Sequence, residues 1–266
     1  MKIALIQMHV DFNKNNNIAA ACNKIKEAGL LNIDMVVLPE MFCCPYSGKY
    51  FREYGEEEGG PVQETLSGLA KEMGIFIVGG SIPELCDNKI YNTSYVYDNN
   101  GKQIAKHRKA HLFDIDIKGK IRFFESEYLT AGDEITVFNS PFGIMGLCIC
   151  FDFRFPEVAS AMAKKGAVLI IVPAAFNMTT GPAHWETMFR QRAVDNQVFT
   201  IGAAPARDED GVYVSYGNSI AVNPWGEVIA RCGGNECTLI VDVDFKLVED
   251  VRSQLPLISS RREELY

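Results

Sequence analysis

FGIMGLCICFDFRFPE, residues 142–157, changes character at its ninth residue. Up to Cys150 it is an apolar run that reads as a buried strand ending at that thiol. After it come Phe151-Asp152-Phe153-Arg154-Phe155-Pro156-Glu157, a sharp exit carrying both charges, and then a helical stretch, PEVASAMAKKGA. That helix leads into a second apolar run, VLIIVPA (168–174). Strand, exit, helix and strand make an α/β unit.

Working outward, the same succession recurs near the N-terminus. KIALIQM (2–8) reads as a strand, residues 16–29 as a helix with Ile18, Ala21, Cys22 and Ile25 on one face, and DMVVLPE (34–40) as a short buried strand stopped by Pro39. A helix over 60–73, with Pro61 in its first turn, precedes three strands, IFIVGGSI, YNTSYVYD and KQIAKHRK. Asn99-Asn100-Gly101 turns the last two into a hairpin. ITVFNS pairs with FGIMGLCIC, and WETMFRQRAVDNQ is a helix before the strand VFTIGAA. YVSYGNSIAV, EVIARC and TLIVDVD follow as strands around the turn Asn223-Pro224-Trp225-Gly226, and DFKLVEDVRSQ closes as a helix. Alternation interleaved with hairpins predicts α/β layering with mixed sheets, not a purely parallel one.

The chain has 266 residues, 47% hydrophobic and 23% charged, with a net charge of −8. That length suits one globular domain over 1–266, and no linker or repeat divides it. The acidic balance argues against nucleic-acid or anionic-membrane partners. MKIALIQ reads as a first strand instead of a signal peptide, and no run approaches the ~20 apolar residues a bilayer span needs. Eight cysteines, at 22, 43, 44, 86, 148, 150, 232 and 237, are therefore expected to be free thiols in a reducing cytoplasm. His107 and His111 share an i, i+4 spacing, but without C-x-x-C or H-E-x-x-H no metal site is indicated.

Three polar residues each follow their own strand: Glu40, Lys109 and Cys150. Each has a plain structural alternative. Cys150 is a nucleophile or a core thiol, Glu40 a base or a loop cap, and Lys109 a site cation or part of a solvated basic cluster, His107-Arg108-Lys109-Ala110-His111. Together they are the parts for acyl transfer from an amide. The carboxylate takes the thiol proton and returns it to the leaving amine, while the ammonium and the Phe151 backbone N–H receive the oxyanion.

With these residues in place the chain resembles the nitrilase, or carbon–nitrogen hydrolase, superfamily. The resemblance runs end to end and rests on LPEMF around Glu40, HRKAHLFD around Lys109 and GLCICFDFRFPE around Cys150, in that order. It implies a Glu–Lys–Cys triad of Glu40, Lys109 and Cys150. It adds Glu125, from Phe123-Phe124-Glu125-Ser126, as a fourth catalytic residue. It implies a four-layer α-β-β-α sandwich, no metal or organic cofactor, and a homodimer or higher homo-oligomer with exchanged C-terminal segments. PAAFNMTTGPAHWETMFRQRAVDN (173–196), PARDEDGVYVSYGNS, NPWGEV, PYSGKYFREY and the closing RREELY look like the omega-amidase branch of Nit-type amidases. That branch hydrolyses the terminal amide of alpha-ketoglutaramate and alpha-ketosuccinamate. The resemblance then makes Phe176, Thr180 and Tyr46 pocket residues. Arg154 is the cation suited to the substrate carboxylate, unless it pairs with Asp152 or Glu157. A deaminated-glutathione amidase, an N-carbamoyl hydrolase and a non-catalytic interaction protein are the alternatives. Glu56-Glu57-Glu58 is expected to be a solvated loop face, with a lid over 53–60 as the other reading.

Overall fold

A computed structural model describes residues 1–119 and 121–265, the side chain of Glu263 aside. The first half runs β1 (Lys2–Gln7), α1 (Lys14–Gly29), β2 (Met35–Val37), α2 (Gly48–Tyr54), α3 (Pro61–Met73), β3 (Phe76–Val78), β4 (Ile82–Cys86), β5 (Lys89–Tyr97) and β6 (Gln103–Arg108). A short ribbon, β7 (Asp114–Ile117) and β8 (Ile121–Phe124), follows. The second half runs β9 (Thr136–Ser140), β10 (Gly143–Leu147), α4 (Pro156–Lys164), β11 (Leu169–Pro173), α5 (Gly181–Asn196), β12 (Phe199–Ala203), β13 (Ile220–Val222), β14 (Val228–Arg231), β15 (Cys237–Asp242) and α6 (Lys246–Gln254).

Two mixed sheets result. In one, β1, β2 and β3 are parallel, β15 flanks them, and β4 and β6 join antiparallel to β5. In the other, β10, β11 and β12 are parallel, with β9 on one side and β13 and β14 on the other. Side chains alternate across a strand, so each strand feeds two interfaces. Ile3, Leu5, Met35, Val37, Leu169, Ile171 and Ile201 meet between the sheets. Ala4, Ile6 and Val36 pack under α1 and α3, and Ile170 and Val172 under α4 and α5. Three apolar interfaces define four layers, α-β-β-α, as expected.

Local signals explain the helix ends. Asn13 caps α1, its side chain accepting from Asn15 and Asn16 N–H at 2.9 and 3.2 Å. Pro61 opens α3, and Gly74, at φ +68°, closes it in the left-handed region. Gly80 also has positive φ, and a Cβ there would stand 2.1 Å from the Pro39 carbonyl oxygen. The bend after β3 thereby lies directly on the segment that presents Glu40.

Several expectations need correcting. The strand before Cys150 stops at Leu147. Cys148 N still reaches Ile171 O, but Ile149 N donates instead to the Asp152 carboxylate at 3.0 Å, which ends the ladder. IFIVGGSI divides into β3 and the start of β4, and YVSYGNSIAV is strand only over β13. PYSGKYFREY contains α2. Glu56 is not solvated. It is 8% exposed, pairs with Lys14 at 2.6 Å and accepts from Val62 N at 2.9 Å, capping α3. Cys232 and Cys237 form a disulfide, and the other six cysteines are free. The short β14–β15 connection holds their Cα atoms 6.3 Å apart, within the range a disulfide spans. Among the described residues no helix is long and apolar enough to cross a membrane. Tyr266 of the closing RREELY lies outside the described residues.

Candidate active site

The two sheets deliver their polar strand ends to one place. Glu40 stands just beyond β2, and Met41 after it adopts φ +52° while donating its N–H to Ser81 Oγ. Lys109 follows β6 directly, its backbone N–H donating to Asn92 O. The β7–β8 ribbon brings the chain back, so that Glu125 lies beside Lys109. Cys150 opens a 3-10 turn over Cys150–Arg154 with φ +46°, a left-handed conformation that costs a non-glycine residue about 1–3 kcal/mol.

Glu40, Lys109 and Glu125 are fully buried, and Cys150 is 4% exposed. Lys109 Nζ donates to Glu40 Oε1 at 2.9 Å and lies 2.9 Å from Glu125 Oε2. The Tyr46 hydroxyl donates to Glu125 Oε1 at 2.5 Å and stands 3.2 Å from Glu40 Oε1. Glu40 also accepts from Asn92 Nδ2 at 2.9 Å and from Ala175 N–H at 2.8 Å, and Glu125 from Phe113 N–H at 2.6 Å. The Glu40 carboxylate and the Lys109 ammonium are the charges that act most strongly on the thiol. Burying these ions costs several kcal/mol each, and this density of donors offsets it.

Two carboxylates face one ammonium, so the pocket retains protons. Burial pulls the Lys109 ammonium toward losing its proton, but Glu125 and Glu40 outweigh it and hold the ammonium charged. Burial, reinforced by the Glu40 charge, raises the Glu125 carboxyl above its ordinary range. Burial and then the Glu40 charge push the Cys150 thiol well up, against Lys109. The resting sulfur is therefore a thiol. A carboxylate that comes within reach of a neutral thiol can take its proton as the sulfur attacks. The Phe151 N–H sits in the first turn of the 3-10 segment, where N–H groups have no partner within the turn.

On the far side of the thiol, the Arg154 guanidinium lies 4.4 Å from the Phe176 ring centroid and 5.7 Å from that of Phe151. It donates to His184 Nδ1 at 3.0 Å. Among the described residues no carboxylate lies within 4.0 Å of it, so it pairs with neither Asp152 nor Glu157. Phe176 packs edge-on against Trp185. The Thr180 hydroxyl donates to Asn177 Oδ1 at 3.2 Å, which commits it to the loop before α5. A cavity of about 100 Å³ is lined by Glu40, Tyr46, Ala175 and Tyr213, but by neither Cys150 nor Arg154.

Sequence reasoning missed Asn92, Tyr213 and Asp152. Asn92 is fully buried, and the signal available was a strand-disfavouring asparagine inside the run YNTSYVYD. Tyr213 donates to Ala175 O at 2.5 Å and packs on the Tyr46 ring at 4.7 Å. Asp152 binds His107 and His111, the pair with the i, i+4 spacing. They lie on β6 and the loop after it, not on a helix. Among the described residues no cluster suited to a metal occurs.

The chain is similar to known proteins over its whole length. The carbon–nitrogen hydrolase family model matches residues 2–253. The omega-amidase NIT2 of Xenopus tropicalis is 49% identical over 265 residues, covering 100% of this chain and 96% of that one. The human omega-amidase NIT2 is 47% identical over the same span. Among solved structures, Saccharomyces cerevisiae Nit3, a member of branch 10 of the nitrilase superfamily, superposes with a TM-score of 0.91. It is 40% identical, with 98% of this chain and 96% of that one covered.

Proposed function

The chain belongs to the carbon–nitrogen hydrolase family, and from that premise we propose that it is an omega-amidase. Its substrates are alpha-ketoglutaramate and alpha-ketosuccinamate, cleaved to the dicarboxylate and ammonia. The observation that carries this reading is the fully buried Glu40–Lys109 pair, whose charges bear directly on the Cys150 thiol. The relatives' name supports the substrate class.

In this reading Cys150 attacks the amide carbon. Glu40 takes the thiol proton and hands it to the departing nitrogen, so ammonia leaves and a thioester remains. Water then attacks the thioester, Glu40 takes one of its protons and returns it to sulfur, and the acid is released. Lys109 and the Phe151 N–H stabilise the oxyanion in both steps, an effect worth about 3 kcal/mol per donor. Glu125 and Tyr46 hold Lys109 in line. Arg154 grips the distal carboxylate, supported by its lack of an acidic partner among the described residues and by the loss of hydration that burial imposes on it. Phe176 forms the apolar wall beside it, and Thr180 shapes the loop that carries Phe176.

We extend the reading to one hydrolase domain over the whole chain, acting as a homodimer in the cytoplasm without a cofactor. Pairing is supported by an exposed apolar strip of Val194, Trp225, Leu255 and Leu257, between 36 and 54% exposed. Six free thiols favour a reducing compartment, and the Cys232–Cys237 disulfide stands against it.

Ammonia release from a panel of alpha-ketoglutaramate, alpha-ketosuccinamate, deaminated glutathione and N-carbamoyl amines tests the assignment. The two keto-acid amides are expected to lead. A strong preference for deaminated glutathione would reassign the substrate, and no release from any of them above a Cys150→Ala control would remove the enzymatic reading.

A further inference from the structure

The Asp152 carboxylate is fully buried and joins the segment bearing the thiol to the segment bearing the ammonium. Its Oδ2 accepts from Ile149 N–H at 3.0 Å and meets His107 Nε2 at 2.9 Å. Its Oδ1 accepts from Ala110 N–H at 3.1 Å, His111 N–H at 2.8 Å and His111 Nδ1 at 2.9 Å. Ile149 precedes the strained Cys150, while His107, Ala110 and His111 bracket Lys109. With five donors on two oxygens, the carboxylate is saturated and has no lone pair left to serve as a base.

A carboxylate can only accept here: burial pushes its pKa up, but the hydrogen bonds from His107, His111 and Ile149 N–H outweigh it and hold the pKa low. Each histidine must therefore present an N–H, at Nε2 in His107 and at Nδ1 in His111. His107 Nδ1 faces Thr136 Oγ1 at 2.9 Å, which fixes the ring from behind. His111 stacks on Phe155 with centroids 3.9 Å apart, which fixes the other. The arrangement resembles the orienting half of a catalytic dyad, turned away from the reacting atoms.

We propose that Asp152 is a positioning residue that holds the Cys150 turn in register with Lys109, with His107 and His111 as its orienting donors. This rests on the reading of Cys150 and Lys109 as reacting groups. Loss of the link lets the thiol and the oxyanion site drift apart, which slows chemistry while leaving the Arg154 side of the pocket intact.

The test is steady-state hydrolysis of alpha-ketoglutaramate, with kcat normalised to the folded fraction by circular dichroism. Asp152→Asn puts an amide N–H₂ where an acceptor stood, and kcat is expected to fall at least about 30-fold with KM within about threefold. His111, with its side chain 34% exposed, gives a milder series. His111→Ala should lower kcat about 3–10-fold, His111→Phe should do the same while keeping the stack on Phe155, and His111→Asn should restore it to within about twofold by returning an N–H donor. A kcat within twofold of wild type in Asp152→Asn, or His111→Asn no better than His111→Phe, would overturn the proposal. If Asp152→Asn does not fold, the His111 series decides alone. Cys150→Ala is run alongside. If it stays active, the reading of the whole site fails, whereas an inactive Cys150→Ala with unaffected Asp152 and His111 variants removes this inference only.

Discussion

The β5–β6 hairpin supports two buried charge clusters of opposite design. On one face Glu84, 1% exposed, accepts from Arg108 at 2.9 and 2.7 Å, Lys106 at 2.6 Å and Thr93 at 2.7 Å. Two cations serve Glu84, Lys106 being shared with the exposed Glu58 at 2.8 Å, and both reach water, with side chains 23% and 28% exposed. One residue beyond β6, Lys109 faces two carboxylates and a thiol with no water contact. Burial pushes the Glu84 carboxyl up, but hydrogen bonds from Arg108 and Lys106 overcome it and leave the pKa lowered. The same burial at Glu125 wins, and that carboxyl is raised. Cations that donate to a carboxylate and still reach water make a clasp, while two carboxylates on one ammonium in a dry pocket make a proton store.

The contrast breaks first at Glu→Gln substitutions. Glu40→Gln should reduce kcat by about 10²–10⁴-fold with little change in KM, because a base acts in the transition state. Initial-rate kinetics decide it, and near-normal turnover would move the proton transfer elsewhere. Glu84→Gln should leave kcat and KM within about twofold but cost about 3 kcal/mol of stability, the low end for a broken buried pair because both cations reach water. Urea unfolding reads that loss. The loss should also depend on pH. A lowered folded pKa means the Glu84 contribution is present above the unfolded value, about 4.3, and fades as pH falls through the folded value. The wild-type advantage should therefore shrink in acid.

Glu125→Gln sharpens the comparison. Its raised folded pKa means ionisation opposes folding, so its favourable contribution is complete only below the unfolded pKa and is lost as pH rises through the folded one. At neutral pH the variant should be as stable as wild type or more so, yet about tenfold or more slower in kcat as Lys109 loses one anchor. A large destabilisation, measured by urea unfolding at pH 7, would make this cluster a clasp too. Smallest is Arg154→Lys, which keeps the charge without the fork and should raise KM about tenfold with kcat nearly unchanged. An equal fall in kcat would put Arg154 in the chemistry.

Much of this was legible. Apolar runs in KIALIQ, MVV and LIIVP mark the central strands, and Glu40 and Lys109 stand just past the strands MVV and QIAKHR. What escaped depends on side chains answering distant backbone. Cys148 and Ile149 are as apolar as the strand before them, so nothing local reveals that Asp152 withdraws Ile149 N–H from the ladder. The β7–β8 ribbon, DIDI with IRFF, gathers Ile115, Ile117, Ile121 and Phe123 on one face only once its two four-residue strands pair, too short a pattern to stand out along the chain, and it is this ribbon that delivers Glu125. GKYFREY mixes glycine and aromatic residues with weak helix preference, and α2 forms because Phe51 and Tyr54 bury against the first core. The position of Glu125 was accessible only through the family motif.

The central claim is that Cys150 carries the acyl group. Enzyme turning over alpha-ketoglutaramate should be quenched in acid and its peptides weighed. The account expects an adduct equal to substrate minus ammonia, confined to the Cys150 peptide and absent from Cys150→Ala. Sustained hydrolysis with no such adduct, or with the label on another residue, would contradict it.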